Sequence, residues 1–323
     1  MQQQYLQAGV EEKRDIAAVF NEIESMLCTI GDWPDENGNV RIITRCTCEQ
    51  RLRPINEFLK ELLESASKGR NNILDIDLTE LGERLEKSKF IVRDEACADG
   101  RTTMGLAKRL VEFRGRVKIV GADILMDLYQ LTNSDGDVII FNILGEILSI
   151  KSSGDIKKKS IREKSIITFV KLCESSRQRY GRLDNIEWQG NKLEIIKTLY
   201  PSVYSFAEKN KGYISFKGHN VFDIITEDKP DIILCANLLI HGTYFSLPLI
   251  EKARYQLGKS LTEGGLLALA QNPIAYPELI FVHFSQNKAG RLIPLTKVNK
   301  KLSTLESGNY QMVLSLDFLR LLD

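Results

Sequence analysis

Residues 90–103, FIVRDEACADGRTT, decide how the rest of the chain is interpreted. The apolar run from Phe90 to Val92 predicts a buried strand, and a helical pattern begins near Thr102. Between them an acid, Asp94, is followed at alternate positions by Ala96, Ala98 and Gly100. Bulky side chains in such a loop would keep a ligand from the backbone, whereas small residues leave clearance. The stretch therefore predicts a pocket for a nucleotide-type ligand.

The sequence around this stretch alternates between strand and helix patterns. The pattern predicts a strand over residues 90–96, a helix over 102–113 and a second strand over 116–124. The alternation resumes over residues 213–271. Residues 278–323 add strand-like runs suited to an antiparallel edge. Such alternation is typical of parallel βαβ units, in which ligands bind at the carboxyl ends of the strands. We predict an α/β fold with a Rossmann-like, mostly parallel sheet.

The patterns also divide the chain. Residues 1–88 predict a mainly helical module, with amphipathic helices over 11–29, 54–69 and 78–87. Residues 89–323 form the predicted α/β domain, interrupted at about 134–190 by a segment in which we expect a hairpin. A helix is expected over about 193–210, with Pro201 as a kink or a break.

Composition excludes several classes of protein. The 44 basic and 43 acidic side chains give a net charge of +1, so we expect neither a nucleic-acid nor a membrane-surface partner. There is no cationic leader before an apolar segment and no apolar run of about 18 residues, and we expect a cytoplasmic protein. The six cysteines are expected to be reduced, and Cys46-Thr-Cys48 lacks the second pair that a zinc site needs. We expect no metal site, and an oligomer is possible.

The loop of residues 94–100 resembles the first motif of class I S-adenosylmethionine-dependent methyltransferases, roughly D-x-G-x-G-x-G. Here the motif runs from Asp94 to Gly100, with Ala96 and Ala98 in place of two glycines. A nicotinamide-dependent oxidoreductase of the same topology would instead need G-x-G-x-x-G after the strand, which this chain lacks.

Residues 214–245, ISFKGHNVFDIITEDKPDIILCANLLIHGTYF, look like the third and fourth strands of the same superfamily and are locally similar to chemotaxis-receptor glutamate methyltransferases. The family's arginine is replaced by Ala236 and its tyrosine by His241, so the receptor-glutamate specificity does not carry over. The resemblance implies S-adenosylmethionine as cofactor. It also implies that Asn220 and Val221 contact the adenine and that Asn237 lies near the methionine part.

The full set of cofactor-binding residues that we predict is Asp94, Ala96, Ala98, Gly100, Thr102, Asp123, Ile124, Asn220, Val221, Ala236 and Asn237. Two of these residues, Asp94 and Asp123, have more than one interpretation. Asp94 holds the loop or binds the cofactor's amino group, or it is an exposed cap-like residue. Asp123 accepts hydrogen bonds from ribose hydroxyls, or it caps a helix.

Methyl transfer from a sulfonium needs few catalytic side chains, because the donor already carries a good leaving group. His241 is the candidate general base, with a passive pocket-lining histidine as the alternative. Tyr244 either orients the acceptor or packs at a helix start.

These features predict an enzyme, an S-adenosylmethionine-dependent methyltransferase that acts on an oxygen or nitrogen nucleophile of a small molecule. One alternative is a protein that binds the cofactor without turnover, as a regulator or partner subunit. The other is a methyltransferase that modifies a protein side chain. The helical module and the inserted segment are expected to select the acceptor.

Overall fold

A computed structural model describes residues 33–34, 40–41, 52–69, 78–124, 126, 128–132, 138–141, 147–151, 192–196, 199–239, 245–271, 279–295, 304–307 and 310–314. The first strands are β1 (Trp33–Pro34), β2 (Val40–Arg41), β3 (Phe90–Glu95), β4 (Val117–Asp123), β5 (Leu128–Thr132), β6 (Val138–Phe141), β7 (Ile147–Lys151) and β8 (Lys192–Ile196). The later strands are β9 (Ile214–Gly218), β10 (Ile232–Ala236), β11 (Leu266–Gln271), β12 (Leu279–Lys288), β13 (Arg291–Pro294), β14 (Thr304–Ser307) and β15 (Tyr310–Leu314). The helices are α1 (Arg53–Ser67), α2 (Thr79–Glu86), α3 (Arg101–Arg109), α4 (Pro201–Lys209) and α5 (Leu247–Ser260).

A nine-stranded sheet has the order β14-β15-β12-β11-β10-β3-β4-β9, with β13 paired to β12. Strands β9, β4, β3, β10 and β11 are mutually parallel, and β12 runs antiparallel to β11. By their rank along the chain the five parallel strands have the order 3-2-1-4-5, so the strand order reverses between β3 and β10. The predicted Rossmann-like α/β fold, with an antiparallel edge, is confirmed.

Helix α1 shows why the helices lie where they do. Its apolar residues Ile55, Phe58, Leu59, Leu62 and Leu63 recur at helical spacing, and all five are buried. Pro54 stands in the first turn, where its missing N–H costs nothing. Gly69, with a φ of 62°, follows the end of the helix and donates its amide to the carbonyl of Ala66.

Apolar side chains cover both faces of the sheet. One face packs with α1, α2 and α3 into a single core, in which the ring of Phe58 is tilted by 36° against that of Phe284 with centroids 4.8 Å apart. The other face packs against α5 through Ile233, Cys235 and Leu269. Helices α1 and α2 therefore share their core with the sheet, while the domain boundary near residue 88 remains a prediction.

A second sheet is formed by two strands of the inserted segment, β6 and β7, together with the flanking strands β5 and β8. Strands β5 to β8 form a four-stranded antiparallel sheet in the order β7-β6-β5-β8, and the predicted hairpin is the β6–β7 pair. The expected helix over 193–210 is wrong in its first part. Residues 192–196 (KLEII) pair as a strand with β5, because an isoleucine-rich segment fits a pleated sheet. Pro201 begins α4, which agrees with the predicted break and not with a kink.

The predicted helix over 11–29 lies outside the described residues. Within the described part of the chain, no helix has both the length and the apolar character that crossing a bilayer requires.

Asp231 joins several elements at the amino end of the sheet. Its carboxylate is fully buried, pairs with Arg84 of α2, and accepts hydrogen bonds from the Ile91 amide at 2.8 Å and from the Thr262 hydroxyl at 2.9 Å. Its backbone carbonyl accepts the amide of Leu266 at 2.8 Å. One residue therefore connects α2, β3, β10 and β11.

We expect Asp231→Asn to lower the free energy of unfolding by about 2–3 kcal/mol, because the new NH₂ group must face a donor inside a buried site. Urea denaturation followed by circular dichroism measures the loss. Thr262→Val, which removes one of the same hydrogen bonds, is the control and should cost about 1 kcal/mol. Equal losses for the two variants would contradict the role assigned to Asp231.

Candidate cofactor site

The reversal of strand order places the candidate site at the carboxyl ends of β3 and β10. In the parallel register, Glu95 lies beside Ala122 of β4 and Cys235 of β10, and Asp123 lies beside Gly218 of β9. The loop from residue 96 to residue 100 leaves β3 at this same edge. Crevices of this kind hold ligands in open α/β sheets.

The loop backbone adopts left-handed conformations at alternate residues. The φ angles are 58° at Ala96, 53° at Ala98 and 81° at Gly100. Two alanines thus adopt a conformation that costs a non-glycine residue about 1–2 kcal/mol. Strain of this kind persists where the surrounding contacts enforce it, and it is concentrated at functional sites.

Two buried carboxylates enforce this loop conformation. Asp94, which is 2% exposed, accepts hydrogen bonds from the hydroxyls of Thr102 at 3.1 Å and Thr103 at 2.7 Å, and so fixes the first turn of α3. Asp123, 8% exposed, accepts the amide of Ala98 at 2.9 Å. The geometry supports the loop-holding interpretation of Asp94. Asp123 likewise binds the loop between β3 and α3, through the amide of Ala98.

Gly100 is explained by packing. A Cβ atom there would lie 2.8 Å from Phe216 and 2.9 Å from both Leu199 and Val203. These side chains belong to an apolar cluster formed with α4, so the missing side chain makes room for protein. Of the three small residues, Ala96 and Ala98 are therefore the ones that leave space for a ligand.

The predicted cofactor-binding residues divide by burial. Those that are half-buried along the carboxyl edge are Ala96, Ala98, Ile124, Asn220 and Asn237. Those that are buried are Asp94, Gly100, Thr102, Asp123, Val221 and Ala236. The half-buried set forms the part of the edge that a ligand can reach, and the buried set supports it.

Val221 and Asn237 illustrate the two groups. Val221, 6% exposed, packs with Ile225 and Leu239 in the α5 core, which leaves its backbone as the part that can meet a ligand. Asn237 follows β10 with a φ of 55°, and its amide donates to the carbonyl of Ala270 at 2.8 Å. His241 and Tyr244 lie outside the described residues, so their catalytic roles remain predictions.

Sequence reasoning missed a buried charged chain beside this edge. Arg93, 2% exposed, pairs through Nε with Glu95, whose side chain is 0% exposed. The other oxygen of Glu95 lies 3.0 Å from Nδ1 of His219, which follows β9. Three consecutive charged residues, Arg93 to Glu95, inside a predicted buried strand were the available signal, because buried charges need partners.

Burial is the largest influence on the pKa of Glu95 and raises it, but the hydrogen bonds with His219 and Arg93 and the charges of these two residues together outweigh burial. The pKa of Glu95 is therefore lowered, and the carboxylate is ionised near neutral pH. Nearby, burial and then the charge of Arg93 lower the pKa of Lys217.

No protein-family model matches this chain, and no curated protein matches it. Solved structures do match, and three of them, 11–13% identical to this chain, are described here. A TehB-like SAM-dependent methyltransferase from Corynebacterium glutamicum is 12% identical, with 68% of this chain and 73% of that chain covered and a TM-score of 0.25. An O-methyltransferase family 2 protein from Planctomyces limnophilus is 11% identical, with 70% and 44% covered and a TM-score of 0.29.

The citrinin polyketide synthase CMeT domain is 13% identical, with 58% of this chain covered and a TM-score of 0.26. The chain spans only 30% of the length of that structure. Likenesses with TM-scores below 0.3 leave the activity of this chain to be inferred from its own residues.

The backbone strain at the left-handed residues Ala96 and Ala98 can be tested by substitution with glycine. We expect Ala96→Gly and Ala98→Gly each to raise the free energy of unfolding by about 0.5–1 kcal/mol, since relief of the left-handed conformation exceeds the entropy that glycine adds to the unfolded chain. Chemical denaturation measures the change. Ala207→Gly, inside α4, is the matched control and should lower stability by about 1 kcal/mol. A lower free energy of unfolding in all three variants would show that Ala96 and Ala98 are not strained.

The lowered pKa of Glu95 can be tested through the dependence of the unfolding free energy on pH. An acid with a depressed pKa stabilises the fold fully above its ordinary pKa, about 4.3, and that stabilisation is lost as the pH falls through the lowered value. Glu95→Gln should therefore reduce the difference in unfolding free energy between about pH 7 and about pH 3. Glu208→Gln, at an exposed pair with Lys211, is the control. An unchanged difference in Glu95→Gln would contradict the assignment.

Proposed function

We propose that this chain is an S-adenosylmethionine-dependent methyltransferase acting on an oxygen or nitrogen nucleophile of a small molecule. The observation that carries the proposal is the loop after β3, whose residues 96, 98 and 100 are left-handed at the point where the strand order reverses. That alternation coincides with the small-residue spacing of the first methyltransferase motif, and not with G-x-G-x-x-G.

The residues at the edge fit an adenosyl ligand. Ala96 and Ala98 are half-buried and carry only a methyl group, so a ligand can approach the backbone. Ile124, directly after β4, offers an apolar surface. Asn220 follows β9, the strand beside β4, and offers a side-chain amide. Asn237, past the end of β10, completes the edge on the side proposed for the methionine part.

When bound, the cofactor supplies an electrophilic methyl group on a sulfonium. The protein then has to place the acceptor atom in line with that methyl group and exclude water. In this proposal His241 removes the proton from the acceptor, and Tyr244 orients it. The ties from Asp94 and Asp123 hold the loop rigid, which limits the motion lost on binding.

Calorimetric titration with S-adenosylmethionine and S-adenosylhomocysteine tests the binding site. We expect Asn237→Gly to weaken binding by about tenfold, since it removes the side chain but tolerates the left-handed backbone. Asp228→Gly is the matched control, because Asp228 is also polar and left-handed (φ 47°) but pairs with Lys118 near the amino end of β4. Wild-type protein that binds neither compound would overturn the proposal.

Transfer of a labelled methyl group then separates the alternatives. Label in the small-molecule fraction of a cell extract supports the proposal, and label in the protein fraction supports a protein side chain as acceptor. Binding without transfer to either fraction supports a regulator or partner subunit, the alternative favoured by the two alanines in the loop.

A further inference from the structure

The sheet of β5 to β8, which we call the inserted sheet, leaves and re-enters the main domain next to the loop of residues 96–100, the cofactor loop. Met126, which precedes β5, is 1% exposed, and Leu199, which follows β8, is 6% exposed. Both belong to the apolar cluster that contains Met104 and Cys97, a residue of the cofactor loop. The two ends of the inserted sheet are therefore packed in one cluster with this loop.

Hydrogen bonds join the first end of the inserted sheet to the cofactor loop. The backbone carbonyl of Asp123 accepts the amide of Met126 at 3.2 Å, while its carboxylate accepts the amide of Ala98 at 2.9 Å. The cofactor loop and the start of the inserted sheet therefore share one anchor at the end of β4.

A second junction joins the other end of the inserted sheet to the same loop. The backbone carbonyl of Asp99 accepts the amide of Tyr200 at 2.9 Å. The carboxylate of Asp99, which is 0% exposed, pairs with the guanidinium of Arg101 at 2.9 Å. That guanidinium lies 4.8 Å from the centroid of the Tyr200 ring, which is within the range of a cation–π contact. Arg101 therefore connects the buried acid of the loop to the residue at which the chain returns from the inserted sheet.

The inserted sheet begins almost at these two junctions. Strands β5 and β8 pair with each other from Leu128 and Ile196 onward, two residues after Met126 and three residues before Leu199. In the part of the chain that the structure describes, the four strands of this sheet pack mainly on one another. Because other elements give it little support, the position of the inserted sheet depends on the two junctions.

We infer that Arg101 and Tyr200 couple the cofactor loop to the inserted sheet, so that a cofactor bound at the loop holds β5 to β8 in one position. This inference rests on the proposed function. Asp99 follows the left-handed residue Ala98, so the junction is built on strained backbone. A ligand packed against the loop restricts the motion of the loop, and a sheet attached to the loop at both ends is restricted with it.

The coupling links the two ligands of the proposed reaction. The inserted segment is expected to select the acceptor, and a sheet that moves freely offers the acceptor no fixed surface. With the cofactor in place the sheet is held, and the acceptor then meets a formed site. Because such coupling is reciprocal, an acceptor that holds the sheet also tightens the binding of the cofactor.

Hydrogen exchange followed by mass spectrometry tests the coupling on the wild-type protein, with and without saturating S-adenosylhomocysteine. The ligand should slow the exchange of the amides in β5 to β8 by about tenfold more than it slows exchange in α1. Helix α1 is the internal reference, because a ligand that only stabilises the whole fold slows exchange there as well. This comparison needs no variant, so it does not depend on the folding of a mutant.

Tyr200→Leu removes the ring beside Arg101 but keeps an apolar side chain and the backbone amide. It should bind S-adenosylhomocysteine within a few-fold of the wild-type affinity, yet lose most of the ligand-dependent protection of β5 to β8. Tyr200→Phe keeps the ring and should therefore keep the protection. Tyr204→Leu, one turn further along α4 and in the same apolar cluster, is the matched control and should keep it too. Thermal denaturation establishes that each variant is folded.

The outcomes separate the two proposals. Wild-type protein that binds S-adenosylhomocysteine while β5 to β8 slow no more than α1 overturns the coupling and leaves the proposed function standing. Wild-type protein that does not bind the ligand overturns both. Full protection in a folded Tyr200→Leu variant, or equal loss in Tyr200→Phe or Tyr204→Leu, overturns the role of the Tyr200 ring. Loss of ligand binding in folded Tyr200→Leu overturns that role as well, because it would place Tyr200 in the cofactor site itself.

Discussion

The turn of the backbone out of β3 is the constraint on which the candidate site depends. The chain must reverse from a buried central strand into α3 within five residues, and it does so through left-handed conformations at Ala96, Ala98 and Gly100. Alanine resists that conformation, so the surroundings must enforce it. Asp94 and Asp123 do this from inside the protein, and a small-residue surface is left facing outward.

The two ends of the sheet have different roles. At the amino end Asp231 ties a helix and three strands together through a fully buried carboxylate. At the carboxyl end the buried acids hold a loop, and the outermost residues stay half-buried. A rigid base with an accessible opposite edge suits a protein whose main task is to orient a ligand and a second reactant.

Much of the fold followed from local patterns. The alternation of buried strands and amphipathic helices predicted β3, α3, β4, β10, α5 and β11, because burial on a sheet face or a helix stripe is periodic in sequence. The segment 192–196 was misassigned, since short apolar runs fit either structure and pairing with the distant strand β5 decided it. Gly100 was expected to admit a ligand, but side chains about 100 residues later fill the space beside it.

The motif spacing and the small residues after β3 are local properties, and the amino-acid sequence alone was enough to expect them. The order of the strands was decided by pairing between distant segments. The chain of Arg93, Glu95 and His219 was decided in the same way, because Glu95 and His219 are 124 residues apart and meet only when β9 lies beside β4. Whether a buried acid is paired, and with which nitrogen of a histidine, depends on distances between strands. Those distances exist only in the folded protein.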